Sequence, residues 1–206
     1  MKVLYYYQTL VNRMLKGIWN CLFKIQLFLC GIEFKRVSSM HSIPILKIHP
    51  NSKVKIGDKF QVNNYDNVGW FTRTLICVRK NAILKIGNNV GLSSTCLYCS
   101  KSISIGDNVK IGGGSRVYDT NFHNVANYIL RRSPSSDGPK AESKPVVIED
   151  DVFIGTNCII GKGVIIGARS IIAAGSVVTK SIPSDEVWGG NPAKYIKKIN
   201  NSFIDE

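Results

Sequence analysis

Between Ile148 and Val178 the chain repeats every six residues. Cut on that period it reads IEDDVF, IGTNCI, IGKGVI, IGARSI, IAAGSV and V. An aliphatic residue opens each unit, at Ile148, Ile154, Ile160, Ile166, Ile172 and Val178. A small or acidic residue follows the first five openers: Glu149, Gly155, Gly161, Gly167 and Ala173. Four places after each opener stands a modest side chain: Val152, Cys158, Val164, Ser170 or Ser176. A period of six fits neither a helix, which repeats near 3.6, nor a plain strand, which repeats at 2. It fits a parallel β-solenoid in which each unit is a short strand plus a corner and three units close a coil. Such coils stack about 4.8 Å apart, the usual spacing between strands.

The rest of the chain is arranged around this repeat. Residues 1–42 form a helical N-terminal segment, residues 43–182 the solenoid, and residues 183–206 a C-terminal cap. Val54 to Asp58 and Leu84 to Asn88 each resemble the start of a coil. The interval from Ile56 to Ile86 exceeds one coil, so a bulge or loop is expected within Asn63 to Arg79. Rungs then run through Ile86, Leu92 and Tyr98, slip by one residue, and resume at Ile105, Ile111 and Val117. Asn and Asp recur beside the glycines, where tight and left-handed corners suit them. Residues 118–145 break the register with a polar stretch, and a loop of that length inside a compact domain commonly carries function. Pro183 and Pro192 stop strand continuation. The basic run Ala193 to Ile199 is expected as a short helix over the end of the solenoid, which must cover its core and strand edges.

The N-terminal segment is aromatic, aliphatic and basic. Val11, Leu15, Ile18, Leu22, Ile25 and Leu29 recur at helical spacing, and Lys2, Arg13, Lys16 and Lys24 interleave. Asn20, Lys24 and Gln26 interrupt it too often for a membrane-crossing helix. It also lacks the features of a signal peptide. Two readings stand: a basic amphipathic helix lying on an anionic membrane, or a helix packed on its own trimer or on the end of the solenoid. The whole chain carries 27 Lys and Arg against 14 acids, a net charge of +13. That indicates an anionic partner. Nucleic acid has only this charge behind it and no motif. The six cysteines show no secreted framework, and the CxxC of Cys96 and Cys99 lacks the second pair or His of a zinc site. They read as free thiols, which suit a reducing cytoplasm.

His123, in Asp119-Thr120-Asn121-Phe122-His123, lies six residues after Val117, where regularity ends. An imidazole can move a proton near neutral pH. Asp119 is near enough in sequence to orient it; a solvated turn carboxylate is the alternative.

The rungs, the DTNFH segment with its loop, and PVVIEDDVFIG, GARSIIAAGSVVTKSIP and WGGNPAKYIKKI together resemble the left-handed β-helix hexapeptide-repeat acyltransferases. The likeness is to sugar O-acetyltransferases of the maltose/galactoside type and of capsule and lipopolysaccharide synthesis. It covers roughly residues 45–199. The resemblance implies a homotrimer with active sites at subunit interfaces, acetyl-CoA as co-substrate, no metal, and His123 as catalytic base. It also implies CoA contacts at Thr156, Ala174, Thr179, Lys180, Lys194 and Lys197. Ala174 leaves room for a slim pantetheine arm, and the lysines can neutralise phosphates. Lys198 reads as a solvated charge. Two departures bear on the acceptor. Phe153 stands where the family often has Trp, keeping the ring and losing the N–H donor. Asn121 stands where an Asp is frequent, so any carboxylate orienting His123 falls to Asp119 or lies elsewhere.

The expected reaction is O-acetylation of a sugar hydroxyl in a cell-surface glycan, at the inner face of the membrane. N-acetylation of a nucleotide-activated amino sugar is the nearer alternative, and a non-catalytic scaffold the alternative of another class. The metal-dependent γ-type carbonic anhydrases need three metal-binding His; among the regular coils this chain has only His123.

Overall fold

The computed structural model describes residues 2–40, 42–63, 72–133 and 141–200, with backbone alone for 2–13 and 40. The polar centre of the long loop, 134–140, and residues 64–71 lie outside the described residues.

Each rung predicted from the repeat is a short strand whose aliphatic opener points inward. In order they are β1 (Val37–Met40), β2 (Ile45–Ile48), β3 (Lys53–Ile56), β4 (Phe60–Asn63), β5 (Leu75–Val78), β6 (Ile83–Ile86), β7 (Gly91–Ser93), β8 (Cys96–Cys99), β9 (Ser102–Ile105), β10 (Lys110–Ile111) and β11 (Arg116–Tyr118). After the long loop come β12 (Val146–Ile148), β13 (Phe153–Ile154), β14 (Ile159–Ile160), β15 (Ile165–Ile166), β16 (Ile171–Ile172), β17 (Val177–Val178), β18 (Glu186–Gly189) and β19 (Lys194–Lys198). From β2 to β17 each strand pairs in parallel with the strand three places on, giving three sheets. Face I holds β3, β6, β9, β12 and β15; face II runs from β1 through β4, β7, β10, β13 and β16 to β18 and β19; face III holds β2, β5, β8, β11, β14 and β17. The chain is a left-handed parallel β-helix. The six openers from Ile148 to Val178 are each no more than 1% exposed.

Corner chemistry explains why Asn and Asp recur. Asn89, Asn108 and Asp151 all take positive φ, at 54°, 60° and 59°. They stack at successive corners between faces I and II. Asn89 Nδ2 donates to Asn108 Oδ1 at 3.0 Å, and Asn108 Nδ2 to Asp151 Oδ1 at 2.9 Å. A second column runs beside it: the Asn88 N–H donates to Asp107 Oδ1 at 2.6 Å, and the Asp107 N–H to Asp150 Oδ1 at 2.7 Å. Short side chains thus satisfy corner amides that no strand partner reaches.

Both ends are closed. Helix α1 (Lys2–Leu29) turns Phe23 and Leu27 fully into the core, with the Phe23 ring 6.4 Å from that of Phe60. Asn20 Oδ1 accepts the Ser39 N–H at 2.7 Å, fixing the helix to β1. At the other end β19 pairs antiparallel with β18, and Trp188 packs edge-on to Tyr195.

Four expectations are corrected. Residues Lys194–Lys198 form β19, not a helix, because the free edge of β18 offers backbone groups that an added strand satisfies. The solenoid begins at β1, ahead of residue 43, since Val37 to Met40 pair with Phe60 to Asn63. The bulge or loop expected within Asn63 to Arg79 does not include Leu75–Val78, which is a paired rung. The slip after Leu92 falls one residue earlier: Leu97 is the buried opener, paired with Val117, and Tyr98 faces outward. That register also separates Cys96, half-buried on the outer side, from the fully buried Cys99. Burial pushes both thiols up.

Because Phe23 plugs the open end of the core, Phe23→Ala should destabilise the protein by about 3–5 kcal/mol, the usual cost of that truncation. Chemical denaturation with a stable exposed-surface mutant as reference reads this; a loss below ~1 kcal/mol would mean that the helix does not close the core.

Candidate active site

Face III is where the predicted residues gather, and its two edges differ. The edge by which the chain enters it is bare backbone. A Cβ on Gly112 would lie 2.7 Å from the Thr156 nitrogen, and one on Gly155 2.6 Å from the Ala174 nitrogen. Only glycine fits these close approaches. The Gly175 N–H donates to the Thr156 carbonyl at 2.8 Å, so Thr156 and Ala174 stack on adjoining coils. Beneath them the Ser115 hydroxyl, fully buried, donates to the Gly155 carbonyl at 2.8 Å.

The edge by which the chain leaves face III carries the functional candidates. Tyr98 and Tyr118 are cross-strand partners, both facing outward. Thr179 and Lys180 leave the same edge after β17. Asp119 follows Tyr118 and is fully buried. Its Oδ1 accepts the Ser100 N–H at 2.7 Å; its Oδ2 accepts those of Lys101 and Ser102 at 2.6 and 2.7 Å. Both oxygens are therefore engaged one coil back, and the carboxylate anchors the root of the loop. The loop returns beside its own start: Asn121 donates from its N–H to the Glu142 carbonyl, Lys144 to that of Asp119, and Thr120 bridges to Ser143. Glu142 also pairs with Lys144 and Lys162 at 2.8 and 2.9 Å.

Between these fixings Phe122 takes φ +63°. For a bulky side chain such a conformation costs about 1–3 kcal/mol. Its ring sits against Tyr98 and Tyr118, with centroids 4.7 and 5.0 Å away. His123 comes next and is exposed, its N–H donating to the Asn121 carbonyl at 2.7 Å. Beyond it Val125, Tyr128 and Ile129 are 57–61% exposed. Cys99, buried near Asp119, has its thiol pushed up, first by burial and then by that carboxylate, so it offers no thiolate nucleophile.

Phe153 lies elsewhere, on the outside of face II and half exposed. With Gln61, Asn63, Gly91, Ser93 and Lys110 it lines a groove of about 290 Å³. Among the described residues, Asn63 Oδ1 is buried there without a partner. Lys194 and Lys197 are exposed on β19. One protomer thus joins Thr156 with Ala174 and, on the opposite edge, His123 with Asp119 and Asn121, while Thr179 and Lys180 leave that edge two coils further on. It does not bring Phe153 to His123. The sequence reading missed the two tyrosines, whose signal was the register slip, and Asn63 and Ser93, which carry no motif. Among the described residues no group of three or more His, Cys, Asp or Glu could hold a metal ion.

Comparison with known proteins bears on the repeat and the fold. Residues 83–118 and 145–180 match the model of the hexapeptide repeat of succinyl-transferase. Over 58 residues the chain is 57% identical to 2,3,4,5-tetrahydropyridine-2,6-dicarboxylate N-acetyltransferase of Halalkalibacterium halodurans, covering 28% of this chain and 24% of that protein. Over 108 residues it is 33% identical to the mitochondrial gamma carbonic anhydrase 2 of Arabidopsis thaliana, covering 48% and 39%. The chain therefore spans well under half the length of these curated relatives. A crystal structure of a hexapeptide-repeat-containing acetyltransferase from Vibrio cholerae, complexed with acetyl-CoA, superposes with a TM-score of 0.58 at 27% identity, over 87% of this chain and 76% of that one. The chain thus carries hexapeptide repeats, folded as a left-handed parallel β-helix.

Hydrogen bonds from Lys144 and Lys162 hold the Glu142 carboxyl well below the usual glutamate range, at about 2. A lowered carboxyl gives anchoring that is present above the unfolded value and is lost as pH falls toward the folded one. Hydrogen exchange at 142–144 should therefore be protected at pH 6 and rise between pH 4.5 and 2. Glu142→Gln should abolish that pH step; a step that survives would assign it to another group.

Proposed function

We propose that the protein is an acetyl-CoA-dependent O-acetyltransferase acting on a sugar hydroxyl of a surface glycan, with His123 as general base. The observation that carries this reading is an exposed imidazole on a pinned turn at one edge of a face whose other edge is bare backbone. Acetyl-CoA supplies a thioester carbonyl as electrophile. The bare corner at Gly155, Thr156 and Ala174 fits a slim pantetheine arm, and Lys180, Lys194 and Lys197 fit its phosphates. His123 takes the proton of the acceptor hydroxyl as that oxygen bonds to the carbonyl carbon. The C–S bond breaks with its electron pair on sulfur, and His123 returns the proton to that thiolate. Backbone N–H groups stabilise the developing oxyanion. The likeness to an acetyltransferase solved with acetyl-CoA supports the donor. The groove at Phe153, with its ring, amides and hydroxyl, suits a sugar.

The site is completed by a second copy. Thr156 and Ala174 stand on the opposite edge from Thr179 and Lys180, and Phe153 stands on another face from His123. A trimer would bring one protomer's entering edge to its neighbour's leaving edge. The exposed apolar tip at Val125, Tyr128 and Ile129 supports such a contact.

His123→Ala should lower kcat about 10²- to 10⁴-fold with the fold intact. Thiol release from acetyl-CoA, with methyl glycosides as acceptors, measures it. Near-normal kcat would remove the assignment. N-acetylation of an amino sugar is favoured by the likeness to an N-acetyltransferase; running amino sugars beside the glycosides separates the two. A non-catalytic scaffold would show no thermal shift with acetyl-CoA.

Helix α1 bears on where the acceptor is met. Met14, Leu15, Ile18, Leu22, Ile25 and Leu29 form an exposed stripe opposite the buried Phe23 and Leu27. Lys16 and Lys24 are exposed beside it, and no acid precedes Glu33 in the sequence. Among the described residues no helix is long and apolar enough to cross a membrane. This charge pattern suits the surface of an anionic bilayer, at the inner face of the membrane where a lipid-linked glycan would lie. Replacing Ile18, Leu22 and Ile25 together by Gln keeps the buried face and should abolish binding to vesicles containing anionic lipid. Unchanged binding, or a changed oligomeric state instead, would assign the stripe to packing within the assembly.

A further inference from the structure

We infer that Tyr98, Phe122 and Tyr118 form an aromatic clamp whose task is to position His123. This rests on the reading of His123 as the base. Among the described residues Phe122 is the only aromatic one with positive φ. Most of the other non-glycine residues there, such as Asn89, Asn108 and Asp151, stand at the corners of the coils and suit that conformation. Phe122 stands off the coil, where Asn or Gly would adopt the same backbone at less cost. The ring must therefore supply something that a small residue would not.

Its surroundings show what that is. The ring meets Tyr98 at 4.7 Å, tilted by 58°, and Tyr118 at 5.0 Å, edge-on at 86°. Both geometries are favoured by aromatic quadrupoles. The two tyrosines are paired on neighbouring strands, so they are as fixed as the coil itself. The ring remains 36% exposed, so it is not simply core. Upstream, the Asp119 carboxylate holds the chain to the coil and the Asn121 N–H holds it to the loop's returning limb at Glu142; downstream, the His123 N–H closes onto the Asn121 carbonyl. Phe122 is the one link between those fixings whose own backbone hydrogen bond is weak, reaching Thr120 Oγ1 at 3.3 Å. Stacking sets its dihedral angles, and these set the direction in which the next side chain leaves the backbone. Phe122, Tyr98 and Tyr118 are thus positioning residues that act through His123.

Phe122→Asn tests this without breaking the fold, because Asn accepts positive φ and removes only the ring. Kcat should fall about 10- to 100-fold, the cost of a small misplacement. The KM for acetyl-CoA and the melting temperature should hold. Phe122→Tyr should keep wild-type kcat. In a His123→Ala background, Phe122→Asn should cost nothing further, since the clamp has then nothing to place. The assay is thiol release from acetyl-CoA with methyl glycosides. A second measurement needs no acceptor: the imidazole proton resonance of His123, one of three His, should move in Phe122→Asn and stay in Phe122→Tyr. Unchanged kcat with an unmoved resonance would overturn the clamp, as would an equal loss in both backgrounds. Wild-type kcat in His123→Ala alone would instead strike the base assignment, and the clamp's catalytic role with it.

Discussion

Parallel hydrogen bonding between strands three places apart is the constraint on which the rest of the structure depends. It requires every coil to be the same length, because each strand must meet its partner in register over only two to four residues. Residues beyond that length cannot be absorbed within a strand and must leave at a corner. The excursion after β11 does so, leaving face III. The ladder is unbroken across it, since β11 still pairs with β14 and β9 with β12. Regularity therefore decides where irregularity can occur, and so where exposed polar chemistry can be placed without opening the core.

What the sequence makes legible follows from the same constraint. The openers from Ile148 to Val178 were readable because burial at a fixed period demands one kind of side chain, and no other element has period six. The corner Asn and Asp were readable for a similar reason: positive φ narrows the choice of residue. Legibility fails where a partner in space decides. Lys194 to Lys198 has no strong helical or strand pattern, and the exposed edge of β18 settles it. Leu97 and Tyr98 are both plausible inward residues, and only pairing with Val117 and Tyr118 selects between them. In α1 a single apolar pattern conceals two faces, one plugging the core through Phe23 and Leu27, the other left outside. For that reason residues 1–36 cannot be treated as a detachable appendage.

In the site, His123 was legible as the one histidine beside a break in the repeat. The geometry that holds it was not. Asp119, read as a possible partner of the imidazole, accepts three backbone amides, a role no spacing rule distinguishes from orientation of a base. The glycine column that shapes the opposite edge was half visible, because Gly155 and Gly112 fall on the repeat, but its tightness comes from the neighbouring coil.

The register slip between Tyr98 and Ile105, which looks like a defect in the repeat, is coupled to the loop beyond Val117. The longer corner turns the N–H groups of Ser100, Lys101 and Ser102 toward one point instead of along a strand. Converging amides of this kind bind anions. The residue that follows the next coil's strand, at the place directly above, is Asp119. Its carboxylate fills that socket, so the chain leaves the coil on a fixed heading rather than at a free corner. The short step from Leu92 to Leu97 turns Tyr98 outward, beside Tyr118, and thereby makes the surface on which Phe122 rests. A step one residue short and a corner two residues long thus furnish the two supports of the turn that presents His123. A perfectly regular solenoid would have neither the socket for Asp119 nor the paired tyrosines, and its loop would carry an imidazole with nothing to aim it.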